Sequence, residues 1–130
     1  RVGEARSRAA AARMAALERL ICASSELGDS KRGVRFEVRR AGEPVPAFAV
    51  RFEGRVHAYL NRCAHVAMEL DWRPGDFFDA GGLVLICSTH GALYAPDSGE
   101  CLGGPCSGGL QTLAVAERDG GVYLKEDNHG

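Results

Sequence analysis

The chain has 130 residues, 45 % of them apolar and 25 % charged, the balance of one ordinary globular domain and not of a disordered tract. The longest clean apolar stretch, residues 83–87, falls far short of the roughly 20 residues needed to cross a bilayer, so no membrane association is expected. Residues 1–13 carry four Arg and one Glu, and the remainder carries 12 basic and 16 acidic residues, a net of −4; an acidic body argues against nucleic acid and suits a basic protein partner.

Residues 1–20 are rich in Ala and Arg, with Leu17, Leu20 and Ile21 at helical spacing, which predicts a short N-terminal helix or a flexible extension. Met14 offers an alternative start within that stretch. From Val34 the period changes to two. Val34, Phe36 and Val38 alternate with charged residues, then Phe48, Val50 and Phe52, then Val56, Ala58 and Leu60, which is the pattern of half-buried strands. Glu53-Gly54 between the last two marks a hairpin turn. Residues 83–87 read as a buried strand, and residues 110–117, Asp119-Gly120-Gly121 and residues 122–125 as a second hairpin. Gly and Pro collect in two irregular stretches, about 61–82 and 88–109, each hanging off a strand. The expected organisation is mostly antiparallel β: an extension over 1–20, one domain over 21–126 and a tail over 127–130.

Five Cys is an odd number, and Arg13 and Glu18 break any secretory apolar core, so a reducing, cytoplasmic setting is expected, where Cys serves metal or redox chemistry more often than a disulfide framework. Four residues carry that chemistry. Cys63, His65, Cys87 and His90 form C-x-H, then 21 residues, then C-x-x-H, so each irregular stretch supplies one thiolate and one imidazole. Such a set satisfies either a tetrahedral zinc ion or a two-iron, two-sulfur (2Fe-2S) cluster with two His on one iron. Zinc fingers usually pair like with like, and a mixed pair on each loop suits two metals side by side.

With these residues the sequence resembles the Rieske family over roughly residues 20–126. Asn61-Arg62-Cys63-Ala64-His65 and Thr89-His90-Gly91-Ala92-Leu93-Tyr94 look like its two cluster loops. Gly99-Glu100-Cys101-Leu102-Gly103-Gly104-Pro105-Cys106 looks like its covering proline loop. The resemblance implies an antiparallel β-sandwich with a two-loop cluster-binding subdomain and one 2Fe-2S cluster. Cys63 and Cys87 would bind one iron, His65 and His90 its neighbour at the exposed tip. Neutral imidazoles in place of two thiolates leave the oxidised cluster formally uncharged, which eases its reduction. High-potential members place a Ser after the His-Gly pair and a Tyr two residues on; here the positions hold Ala92 and Tyr94.

Members in respiratory complexes have an extra Cys in each loop and an N-terminal anchor. The corresponding positions here are Met68 and Thr89, so the chain is similar to the soluble, ferredoxin-type branch. Ring-hydroxylating oxygenase subunits add a mononuclear iron held by two His and a carboxylate, for which only His57 and His129 remain. The resemblance implies an electron carrier, not an enzyme with a small-molecule substrate, passing single electrons from a reductase to a terminal oxygenase such as a dioxygenase. The alternatives are a small subunit or binding module of a larger redox enzyme, similar to that of nitrite reductase, and more distantly a structural zinc domain. His57 reads as a surface or packed imidazole and Cys22 as a small buried hydrophobe. Cys101 and Cys106 are expected to pack near the cluster rather than bridge, and Trp72, Phe77 and Phe78 to shield the first loop. With few periodic apolar positions, residues 61–109 are expected to owe their order to the metal.

Overall fold

The computed structural model describes residues 18–63 and 68–125. The strands in these residues are β1 (Glu18–Ala23), β2 (Val34–Arg40), β3 (Glu43–Phe52), β4 (Arg55–Leu60), β5 (Leu85–Ile86), β6 (Leu93–Tyr94), β7 (Cys101–Gly103), β8 (Thr112–Leu113), β9 (Val115–Arg118) and β10 (Gly121–Lys125). They form three sheets, in the orders β2-β3-β4-β8, β1-β10-β9 and β5-β6-β7, and every named strand pair is antiparallel.

The alternating runs become β2, β3 and β4, joined by two-residue turns. Ala41-Gly42 and Glu53-Gly54 all take positive φ, at 53°, 79°, 50° and 81°, the conformation whose twist matches the flanking strands. β3 is buried on both faces, with Ala47, Phe48, Ala49 and Val50 all at 0 % exposure. Its small residues face the sandwich interior, where Ala49 meets Cys22, Leu27, Ala58 and Val122, and Ala47 joins Val38, Val45, Leu60 and Leu124. Its large residues face the other way. Phe48 and Val50 share a second core with Tyr59, Leu70, Phe77, Leu85, Ala92, Tyr94 and Leu110, which belong mainly to the two irregular stretches. One strand thus supports both the sandwich and the subdomain built on it.

Three expectations need correction. Residues 18–20, read as helix, lie in β1, which pairs with β10 through Leu20↔Tyr123 and Cys22↔Val122; sheet pairing outweighs the helical preference of Leu. Among the described residues the helical element is the 3-10 turn Ser24–Glu26, and the rest of the expected extension, residues 1–17, lies outside them. The run 83–87 shrinks to β5: Leu85 and Cys87 are buried, but Leu83 is 69 % exposed. Residues 110–117 do not form one hairpin arm. β8 pairs with β4, and after Ala114 the chain changes sheets so that β9 pairs with β10 across Asp119-Gly120.

Candidate metal centre

Each cluster-loop candidate leaves a strand end. β4 stops at Leu60, and its continuation is held by Asn61, whose N–H donates to the Pro46 carbonyl at 2.8 Å. Two residues on, Cys63 is buried at 2 % exposure, and its N–H donates to the Met68 carbonyl at 2.8 Å, closing the first loop. β5 leads into Cys87, also fully buried. Cys87 N–H donates to Ala92 O and Gly91 N–H to Cys87 O, each at 2.8 Å, so residues 87–92 make a tight turn between β5 and β6. Gly91 takes φ 77° there, a conformation that strains other residues. The turn sends the Cys87 side chain inward and leaves Ser88, Thr89 and His90 exposed. The two loops are tied together where Ser88 N–H donates to Leu70 O at 3.0 Å.

The two thiols meet inside. The Cys63 and Cys87 side chains hydrogen-bond each other, and burial pushes the Cys87 thiol pKa up. Backbone N–H groups of Thr89 and His90 act on the Cys87 sulfur in the opposite direction, favouring its anion, while Cys63 raises it further. On the other side the Tyr94 hydroxyl lies 3.2 Å from Cys63 Sγ. Two adjacent buried thiols surrounded by N–H and O–H donors fit the needs of metal-bound thiolates, whose remaining charge is stabilised by hydrogen bonds to sulfur. The donor set therefore suits an iron–sulfur centre.

The structure thus brings Cys63 and Cys87 together and leaves His90 exposed three residues after Cys87 on the same turn; among the described residues no three His, Cys, Asp or Glu side chains gather into a metal-holding group, and His65 lies outside those residues. His57 sits on β4 opposite Val50, half-buried, with its pKa lowered by burial. His129 is also outside the described residues. Cys22 is buried, as expected of a small hydrophobe.

Two expectations fail here. Cys101 and Cys106 are joined in a disulfide, with Cα atoms 5.9 Å apart. The Gly-Gly-Pro between them lets the loop curl back, and Gly104 packs so closely that a Cβ there would sit 2.7 Å from Gly91 O and 3.0 Å from Ala92 Cα. The covering loop therefore rests on the turn that carries His90. Trp72 does not shield the first loop, being 84 % exposed. Phe77 is buried instead, stacked on Phe48 with centroids 3.9 Å apart, while Phe78 faces Phe52 at 6.2 Å.

Sequence reasoning gave no role to a polar network beside the first loop. Asn61 is 1 % exposed; its Nδ2 donates to Asp71 Oδ1 at 2.9 Å, and its Oδ1 accepts from Leu70 N–H at 2.8 Å. A buried Asp ten residues after a buried Asn has no periodic signature, although a buried carboxylate requires partners wherever it occurs.

A β-sandwich that carries a small three-stranded sheet and two loops, each burying one Cys against the other, defines a class of iron–sulfur electron-transfer domain. The Rieske [2Fe-2S] domain family matches residues 18–114, and the chain belongs to that family. Membership brings one 2Fe-2S cluster and one-electron transfer through it. Solved structures agree on the fold. A chain of the complex of reduced oxygenase and oxidized ferredoxin in carbazole 1,9a-dioxygenase is 23 % identical with a TM-score of 0.66, covering 85 % of this chain and 94 % of that one. The ferredoxin of carbazole 1,9a-dioxygenase from Nocardioides aromaticivorans IC177 is 18 % identical with a TM-score of 0.65, covering 85 % and 98 %. The Sphingomonas yanoikuyae B1 ferredoxin is 21 % identical with a TM-score of 0.64, covering 85 % and 99 %. No curated protein sequence matches the chain. Among the described residues no helix is long and apolar enough to cross a membrane.

Proposed function

We propose that this chain is a soluble, cytoplasmic, ferredoxin-type carrier that passes single electrons from a reductase to a terminal oxygenase, with Cys63 and Cys87 on one iron and His65 and His90 on the other. When bound, the cluster supplies reversible one-electron chemistry at nearly fixed geometry. The chain does the rest. Cys63 and Cys87 sit in a core that excludes water from the sulfur side. Thr89 and His90 N–H groups and the Tyr94 hydroxyl would donate hydrogen bonds to the thiolates.

The observation that carries the reading is the polarity of the turn over residues 87–92, which buries the sulfur of Cys87 and exposes the imidazole of His90 three residues later. An exposed ligand gives a partner protein a short path to the iron. A carrier needs that short path, because its electron must leave through a ligand at the surface. The fold likeness to ferredoxins of dioxygenase systems supports the same role.

The test is a purified protein assayed in two steps: electron paramagnetic resonance after one-electron reduction, then NADH-driven turnover with a ferredoxin reductase and a terminal oxygenase. A Rieske-type signal with reduction and reoxidation on the turnover timescale is expected. A colourless zinc protein would overturn the cluster assignment. A signal with no exchange with any reductase or oxygenase would overturn the carrier role.

A further inference from the structure

The return limb of the first loop, residues 68–75, is pinned by one buried carboxylate. Asp71 is 8 % exposed and its side chain is fully buried. Its Oδ1 accepts from Asn61 Nδ2 at 2.9 Å, and its Oδ2 accepts from Gly75 N–H at 2.9 Å and pairs with Arg35 Nε at 3.3 Å. Arg35 reaches from β2 and also holds Glu69 at 2.7 Å. Asn61 lies two residues before Cys63, and its Oδ1 fixes Leu70 N–H. The neighbouring backbone groups on this limb are the Met68 carbonyl that receives Cys63 N–H and the Leu70 carbonyl that receives Ser88 N–H. Asn61 and Arg35 thus converge on Asp71 from one side, and the Met68 and Leu70 carbonyls brace the two cysteine loops from the other, while the end of the limb is held separately where Gly33 N–H donates to Gly75 O at 2.8 Å.

We propose that Asp71 is a positioning residue of the redox site: gripped by Asn61 and Arg35, it fixes the limb that braces Cys63 and Ser88, and its charge balance with Arg35 tunes the potential of the centre. The inference rests on the ligand assignment proposed above. A buried carboxylate without partners would be ruinous to the loop, and a half-exposed Arg beside it offsets only part of its field. The charge of Asp71 opposes arrival of an electron and that of Arg35 favours it, so removing one or the other moves the potential in opposite directions.

Three variants of the cluster-loaded protein test this by voltammetry, with amide hydrogen exchange at Cys63, Leu70 and Ser88. Asp71→Asn should raise the midpoint and Arg35→Gln lower it, each by about two- to tenfold in the oxidised-to-reduced ratio at fixed electrode potential, tenfold being 59 mV for one electron. Asp71→Asn also sets the new amide against a donor and should speed exchange at all three sites. The swap Asn61→Asp with Asp71→Asn reverses donor and acceptor only in the bond between the two side chains, while residue 61 still accepts from Leu70 N–H and residue 71 still accepts from Gly75 N–H and Arg35 Nε, so it should restore protection. It also carries the charge toward Cys63 and should lower the midpoint. Shifts of one sign in the single variants, or none with the visible spectrum intact, would overturn the tuning role. Fast exchange persisting in the swap would overturn the clamp. If Asp71→Asn fails to fold, the swap and Arg35→Gln still decide both. If the unmutated protein lacks an iron–sulfur spectrum, the ligand assignment fails instead, and the exchange arm alone judges the clamp.

Discussion

Tyr94 shows how a single hydroxyl contributes to the site. Its ring is fully buried in the core shared by the two loops, and its oxygen lies 3.2 Å from Cys63 Sγ. Against a thiolate the hydroxyl must donate, and a bond to a charged acceptor contributes about 1.5–3 kcal/mol, or about 65–130 mV for one electron. The bond strengthens as the centre gains charge, so Tyr94→Phe should lower the midpoint by up to that amount with the spectrum retained. Voltammetry of the two proteins side by side checks it, and equal midpoints would show that Tyr94 only fills space. That Cys63 and Cys87 would meet was legible in the sequence because each sits at short spacing from a His inside a Gly-rich stretch. Tyr94 was legible only through its place after His90-Gly91. Asn61 and Asp71 were not, because a polar residue that will be buried looks in sequence like one facing water. Trp72 failed the other way: a large apolar residue suggests burial, but the limb that carries it turns outward after Asp71.

Elements with a period were readable, and elements without one were not. β2, β3 and β4 followed from alternation, and Glu53-Gly54 from turn chemistry. The irregular stretches looked dependent on metal because their apolar residues follow no period. In three dimensions Leu70, Phe77, Leu85, Tyr94 and Leu110 nevertheless converge on Phe48, Val50 and Tyr59. A second anchor is the Cys101–Cys106 disulfide, which holds the start of β7 to the far side of the covering loop. Closing so short a loop contributes about 2 kcal/mol in the chain-entropy account. It also keeps Gly104 against Gly91 and Ala92, over the turn that carries His90. Replacing both Cys101 and Cys106 by Ser should therefore increase hydrogen exchange over residues 91–93 and speed iron loss to a chelator severalfold. Treating the unmutated protein with a dithiol should reproduce the effect. Unchanged iron release in both cases would mean that packing alone holds the covering loop in place.

At the scale of the whole molecule, alternation tells which face of a strand is buried but not which strand lies beside it, so the antiparallel β class was legible from the residues, the sandwich only from the family resemblance, and the sheet orders not at all. Arg19 of β1 reaches the Glu37 carbonyl of β2 across the two sheets, and a second arginine makes the larger set of contacts between them. Arg51, on β3 of the four-stranded sheet, reaches Glu117 on β9 of the three-stranded sheet through paired contacts of 3.0 and 2.6 Å. It also donates to Leu27 O at 2.6 Å, and to Ser24 O and Gly54 O at 3.2 Å each. The Arg51 guanidinium holds the Glu117 carboxyl down at about 2. A carboxylate whose folded pKa lies below its unfolded value contributes stability above the unfolded value and loses it as pH falls through the folded one. Here that window runs from the ordinary carboxylate range down to about 2. The Glu117 side chain is 30 % exposed, so solvent screens the pair, and about 1 kcal/mol is the expected contribution at neutral pH. Glu117→Gln should therefore lower the urea midpoint at pH 7 by the equivalent of about 1 kcal/mol, with less effect in high salt. The gap between variant and unmutated protein should narrow as pH drops below about 4.5, because the unmutated Glu117 then has its own advantage titrated away. Urea melts of both proteins from pH 7 to pH 3 measure that gap directly, and taking the difference cancels any acid lability of the cluster common to the two. A gap that stays constant or widens in acid would mean that Arg51 joins the two sheets through its carbonyl contacts and not through Glu117.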